Sequence, residues 1–111
     1  MNLEEIIWRL LSGEASSKEL KRFNDYELYY IYSILYKLRN RINESLKKYQ
    51  VELSDYLLPL LKIIDEYISE IYPRVKNMYI CYALQEASDK LSKKVAGRIF
   101  EKILMKIPQM I

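Results

Sequence analysis

The chain has 111 residues, half of them apolar and 30% charged, with a formal net charge of +3 and no histidine. That length suits one domain with a real core, and the composition excludes a disordered chain. No apolar run approaches the roughly 20 residues needed to cross a membrane, and a single cysteine, Cys81, rules out an internal disulfide. Two glycines, three prolines and no threonine leave few turn residues, so long helices are expected rather than a sheet. The segment from Met1 to Gly13 lacks the basic region and cleavage site of a signal peptide. The expected location is therefore cytoplasmic.

The first helix is expected from about Leu3 to Ser12. Asn2 and Glu5 have capping-box spacing, and Gly13 is a stop signal. Leu3, Ile6, Ile7, Leu10 and Leu11 make its apolar stripe, with Trp8 off it. A short helical turn follows Ser16, tucking Leu20 and Phe23 inward. Asn24 then starts a long helix, with Glu27 completing another capping box. Along it Leu28, Ile31, Tyr32, Leu35, Leu38, Ile42, Leu46 and Tyr49 form a narrow stripe suited to antiparallel packing. Tyr29, Tyr30 and Tyr36 lie off that stripe and are either ordinary surface tyrosines or a partner-facing patch.

Gln50 to Leu53 reads as a short connection, after which Ser54 caps the next helix or Pro59 opens it. Leu57, Leu61, Ile64, Ile68, Ile71, Val75, Met78 and Tyr82 then keep helical phase across Pro73. That phase predicts one long, kinked helix over Leu57–Tyr82. Ile80, Ala83, Leu84 and Ala87 add a second apolar face, more than a lone domain needs. Cys81, within this apolar stretch, is expected to be buried and inert. The last helix spans roughly Asp89 to Ile107, stopped by Pro108. Its arc is Ala96, Ile99, Phe100, Ile103, Leu104 and Ile107. A ladder of Lys94, Arg98, Lys102 and Lys106 stands at four-residue steps. The predicted fold is all-α: one domain over 1–111, a bundle of four to five helices with one long kinked central helix.

Charge is segregated along the chain. Residues 51–72 carry a net −4, whereas residues 37–48 and 89–106 each carry a net +4. Such alternation serves either internal complementarity or two kinds of partner. Chemistry is sparse. Without histidine the commonest general base and metal ligand is missing. There is no glycine-rich phosphate loop and no cysteine cluster. Glu66 and Glu70 stand one helical turn apart but lack the second motif of a bundle metal site. The expectation is a chain that is not an enzyme, with no cofactor and no catalytic or metal-binding residue.

Three stretches carry a family likeness. One is the opening amphipathic helix with Glu14-Ala15-Ser16-Ser17-Lys18-Glu19-Leu20-Lys21-Arg22-Phe23. The next is Asn24-Asp25-Tyr26 at the head of a long helix. The third is Glu70-Ile71-Tyr72-Pro73-Arg74-Val75-Lys76-Asn77-Met78-Tyr79-Ile80, an arginine and a basic residue before an apolar run. In this order, and with a closing helix, they resemble the helical A-domain of GINS subunits, the DNA-replication factors. The likeness is to the archaeal type whose A-domain is N-terminal. Pro73 and Asn77-Met78 depart from the family pattern, and its small β-rich B-domain is missing from this chain. The resemblance implies a non-catalytic scaffold subunit that associates through long helices with a sister GINS subunit and supports the replicative helicase. Ile71, Val75, Met78, Tyr79, Tyr82 and Leu84 would form the subunit interface. Tyr29, Tyr30, Tyr36, Lys94, Arg98, Lys102 and Lys106 are candidates for a partner or a weak nucleic-acid contact. Two alternatives stand beside it: a small helical nucleic-acid-binding protein using the two basic segments, and a stand-alone helical homodimer of viral or archaeal origin.

Overall fold

The computed structural model describes residues 2–48 and 50–106, with the side chains of all of these except 50–53. Four α-helices and one short 3-10 helix appear, and no strand among the described residues. The order is α1 (Leu3–Leu11), the 3-10 helix (Ser17–Arg22), α2 (Asp25–Lys48), α3 (Gln50–Val75) and α4 (Tyr82–Lys106). The all-α bundle read from the sequence is thus the fold.

Capping chemistry sets the early boundaries. The Glu5 N–H donates to Asn2 Oδ1 at 2.9 Å, which begins α1. At its end Gly13 adopts φ 82°, a conformation that favours glycine. The Glu14 N–H then donates to the Arg9 carbonyl at 2.9 Å and the Gly13 N–H to the Leu10 carbonyl at 3.4 Å. That pair of bonds is a Schellman stop. At the head of α2 the capping box is reciprocal. The Glu27 N–H donates to Asn24 Oδ1 at 2.8 Å, and the Asn24 N–H donates to Glu27 Oε1 at 3.0 Å.

The core is organised around α2. Leu28, Ile31, Ile34, Leu35, Leu38 and Ile42 are each at most 1% exposed. They occupy more than one side of the helix, so α2 is walled in by neighbours. α3 runs antiparallel beside it, because Asp25 meets Arg74, Tyr32 meets Tyr72 and Arg39 meets Asp65. The Arg39–Asp65 pair shows that part of the charge alternation is internal complementarity. α4 packs on α2 as well: Lys37 Nζ lies 3.2 Å from Asp89 Oδ1, and the Arg41 guanidinium sits 5.3 Å from the Phe100 ring centroid. Gly97 leaves room for that guanidinium, since a Cβ there would lie 3.2 Å from Arg41 Nη1. α1 closes the bundle with Ile6, Ile7, Leu10 and Leu11, and the 3-10 helix adds Leu20, with Phe23 half-buried against the core.

The long helix expected over Leu57–Tyr82 is two helices. α3 ends at Val75, two residues after Pro73, and α4 starts at Tyr82. The Lys76 N–H still reaches the Tyr72 carbonyl at 2.9 Å, and the Met78 N–H closes a turn on the Val75 carbonyl at 3.1 Å. Residues 78–81 carry no regular structure. The inward positions were nonetheless legible: Leu57, Ile64, Ile71 and Val75 are buried, and Leu61, Ile68 and Met78 pack half-buried against them. Apolar phase reports which side faces the core. It does not reveal a connection that happens to return in phase. The segment from Gln50 to Leu53 is the first turn of α3 and not a connection, so Ser54 and Pro59 lie inside the helix. α4 begins seven residues before Asp89. Tyr49, Ile107 and Pro108 lie outside the described residues.

Two substitutions separate core from cap. Leu38→Ala is expected to cost about 2–5 kcal/mol, as for other fully buried leucines. Asn24→Ala removes the capping acceptor at an exposed helix start and is expected to cost about 0.5–2 kcal/mol. Urea unfolding followed by circular dichroism measures both.

Candidate interaction surface

α4 is a helix of two unlike halves. Its buried residues are Ser92, Val95, Ala96, Ile99, Phe100 and Ile103, all in the later part. From Tyr82 to Leu91 none is buried, and Ser88 alone is half-buried. The cause lies in the sequence. Stepping back from Ser92 at helical spacing, the core-facing sector meets Asp89, Ser88 and Gln85. Polar side chains there cannot replace buried apolar ones without partners. Asp89 finds Lys37, and the first ten residues of α4, about 15 Å of helix, lift away from the core.

One flank of this overhanging half is apolar. Leu84, Ala87 and Leu91 recur at steps of three and four residues and so share a side. Leu84 is 59% exposed and Leu91 54%. The same side, farther along, carries Arg98 and Lys102, and there it is covered by α1. Arg98 Nε donates to Glu4 Oε1 at 2.9 Å, and its Nη2 lies 3.5 Å from Glu4 Oε2. Lys102 Nζ and Lys106 Nζ lie 5.9 and 5.8 Å from the Trp8 ring centroid. α1 is nine residues long and stops short of Leu91, so the flank is dressed over Arg98–Lys106 and bare over Leu84–Leu91.

The connection into α4 adds aromatic surface. Tyr79 is 85% exposed and Tyr82 78%. Tyr82 stands about half a turn away from Leu84 around the helix, so it extends the apolar surface round the helix start. Cys81, expected to be buried, is exposed because it belongs to this connection and not to a helix face. Two residues expected at a subunit interface, Ile71 and Val75, are sealed in the core, and Met78 packs half-buried against it. Tyr79, Tyr82 and Leu84 are the members of that group that point away from the core. Leu91, which sequence reasoning passed over, joins them. Its seven-residue spacing from Leu84 was the available signal.

The basic ladder is partly spent within the fold. Arg98 is held by Glu4, and Lys102 and Lys106 lie over Trp8, which gives that off-stripe tryptophan its role. Lys94 is exposed. The Glu4 hydrogen bond, followed by its charge, raises the Arg98 pKa further. Tyr29 and Tyr30 are half-buried against the core. Tyr36 remains 45% exposed, its ring 6.0 Å from that of Tyr32, which in turn lies 6.3 Å from Tyr72. On α3, Glu66 and Glu70 are exposed to solvent. Among the described residues no group of three or more cysteine, aspartate or glutamate side chains is placed to hold a metal ion. No described helix is long and apolar enough to cross a membrane. An open, mostly apolar recess of about 170 Å³ lies between Trp8, Leu11, Tyr56, Leu60 and Ile103, with Lys106 at its edge. Comparison with protein-family models, curated proteins and solved structures returns no match.

Burial raises the pKa of three tyrosines. For Tyr30 burial acts first, partly offset by Arg98. For Tyr32 the neighbouring tyrosines add to it, and for Tyr67 the Glu70 and Glu66 charges do so. The folded state therefore favours the neutral phenol. Their contribution to stability is complete below the ordinary tyrosine pKa of about 10 and is lost as pH rises through the higher folded values. Spectrophotometric titration of tyrosinate should show these three phenols ionising above the ordinary tyrosine pKa of about 10. Urea midpoints should fall above about pH 10.

Proposed function

We propose that the chain is a non-catalytic scaffold subunit that docks a helix of another protein along the bare side of α4. One observation carries this reading: Leu84 and Leu91 are more than half exposed on the same side of α4 that α1 covers farther on. A soluble helix that continues beyond its own core with leucines on one side has apolar surface in excess of what its monomer buries. Tyr79, in the connection ahead of α4, adds exposed aromatic surface near the start of that helix, with large apolar area behind a polar tip.

Within that reading a GINS-type replication subunit is the assignment favoured by the sequence likeness. The stretches that carry the likeness at the start form an amphipathic helix, a short 3-10 helix and a long helix with a reciprocal cap. The Glu70–Ile80 stretch departs from it, since α3 stops at Val75. The partners would be a sister helical subunit and the replicative helicase. Direct nucleic-acid binding draws less support, because Arg98, Lys102 and Lys106 are engaged by α1.

The test uses purified components. The chain is expected to co-elute with a sister GINS-type subunit and with the helicase. Leu84→Arg and Leu91→Arg should each weaken that association at least about tenfold while changing folding stability by no more than about 0.5 kcal/mol, as for other exposed sites. Equal loss of fold and assembly, or no association of the wild-type chain, would overturn the proposal.

A further inference from the structure

We infer that the recess where α1, α3 and α4 meet is a second docking site, which takes one apolar anchor side chain, aromatic or leucine-sized, from an acidic segment of a partner protein. Trp8 and Leu11 of α1, Tyr56 and Leu60 of α3 and Ile103 of α4 form its walls, and Lys106 stands at its edge. From Leu91 to Ile103 is about 18 Å of helix, so this site is separate from the bare flank of α4 and does not depend on it.

Size restricts the occupant. Drug-sized ligands occupy pockets of about 300–1,000 Å³. A cavity of about 150 Å³ lined by leucine, isoleucine and phenylalanine takes benzene. At about 170 Å³ the recess has room for one ring or one branched alkyl group and little more. A group that small serves as the anchor of something larger, as a central side chain does at a protein interface. The walls narrow the choice further. Leu11, Leu60 and Ile103 offer no side-chain hydrogen bonds, so the polar edges of a nucleic-acid base would lose their bonds to water there without replacement. A hydrocarbon side chain loses none.

Charge selects the residues beside the anchor. Lys102 Nζ and Lys106 Nζ lie 5.9 and 5.8 Å from the Trp8 ring centroid, and both lysines are exposed. Among the described residues no carboxylate lies within ion-pair distance of either, whereas Arg98, four residues before Lys102, is held by Glu4. Two ammonium groups thus stand against one wall of an apolar recess, one of them at its edge, with no acid to balance them. Acidic residues next to the anchor supply that balance, and basic ones are repelled. Exposed pairs of this kind set the choice of partner more than the affinity.

Trp8 is the only tryptophan, so its fluorescence reports from a wall of the site. The full chain is titrated with a short capped peptide carrying one central phenylalanine between acidic residues, and a labelled version of the same peptide gives anisotropy as a second readout. Saturable binding is expected, with a dissociation constant of about 0.1–1 mM, because a single anchor is a small contact. Alanine in place of the phenylalanine, or lysines in place of the acidic residues, should each weaken binding at least about tenfold. Lys106→Glu should weaken the acidic peptide by a similar factor and admit the lysine-flanked one, a reversal that structural damage would not produce. Ser12 is exposed and lines the recess, so Ser12→Phe should occlude it and abolish binding with little change in the thermal melt. Leu91→Arg should leave this binding intact, which separates failure here from failure of the α4 flank. No binding of the acidic peptide in either readout up to about 10 mM, equal binding of the alanine or lysine-flanked peptide, or tighter binding of a single-stranded oligothymidylate overturns the inference.

Discussion

The fold depends on the burial of α2 from several directions at once. Six aliphatic side chains between Leu28 and Ile42 are almost wholly withdrawn from water, and no single neighbour could achieve that. α3 takes one side along nearly its full length, α4 takes another, and α1 fits against the remainder. Each aliphatic side chain so buried contributes on the order of 1.5–3 kcal/mol before entropy is counted. The surface ion pairs that stitch these helices, such as Lys37–Asp89 and Arg74–Asp25, are half exposed and contribute little beyond alignment. Register is therefore a property of the apolar contacts, and the charges follow it.

That arrangement has a consequence for α4. A helix is cooperative and continues as long as its backbone is unopposed, whereas a core ends where apolar side chains end. In α4 the two limits fall in different places. The helix begins at Tyr82, but its core-facing side becomes buried only from Ser92 onward. Between those points the helix is kept by propensity and by its continuity with the packed later half, and its leucines have moved to the side. The same reasoning explains the division of labour among the basic residues. Where α1 reaches α4, Glu4 and Trp8 convert a run of like charges into contacts. Ahead of α1, Lys90, Lys93 and Lys94 stay in solvent.

Much of this was legible in the amino-acid order, and the parts that were not share a cause. Caps and stops are local, so Asn2, Gly13 and Asn24 declared the ends of α1 and the start of α2 correctly. Inward-facing residues are periodic, so Leu57, Ile64, Ile71 and Val75 declared themselves. The break after Val75 did not, because Met78 in the connection and Tyr82 at the head of α4 fall at spacings that mimic another helical turn. Pro73 was a poor guide: it sits inside α3, near its end, as Pro59 sits inside it near its beginning. Misplacing the break had two consequences. It put Ile71 and Val75 at an interface when they are core, and it hid Cys81 when it is exposed. The surplus of apolar surface survived the error, since it is a property of composition along 79–91 and not of where the helix starts.

What meets that surplus is selected at its border. An exposed leucine pair at seven-residue spacing accepts any amphipathic helix. What distinguishes partners is the edge of the stripe. Here Lys90 and Lys94 line the edge that lies away from the core, and both stay in solvent. A docking helix with acidic residues along the matching edge is favoured there, and a basic one is disfavoured. The leucines supply the apolar contact, and the two lysines discriminate among the helices that could make it.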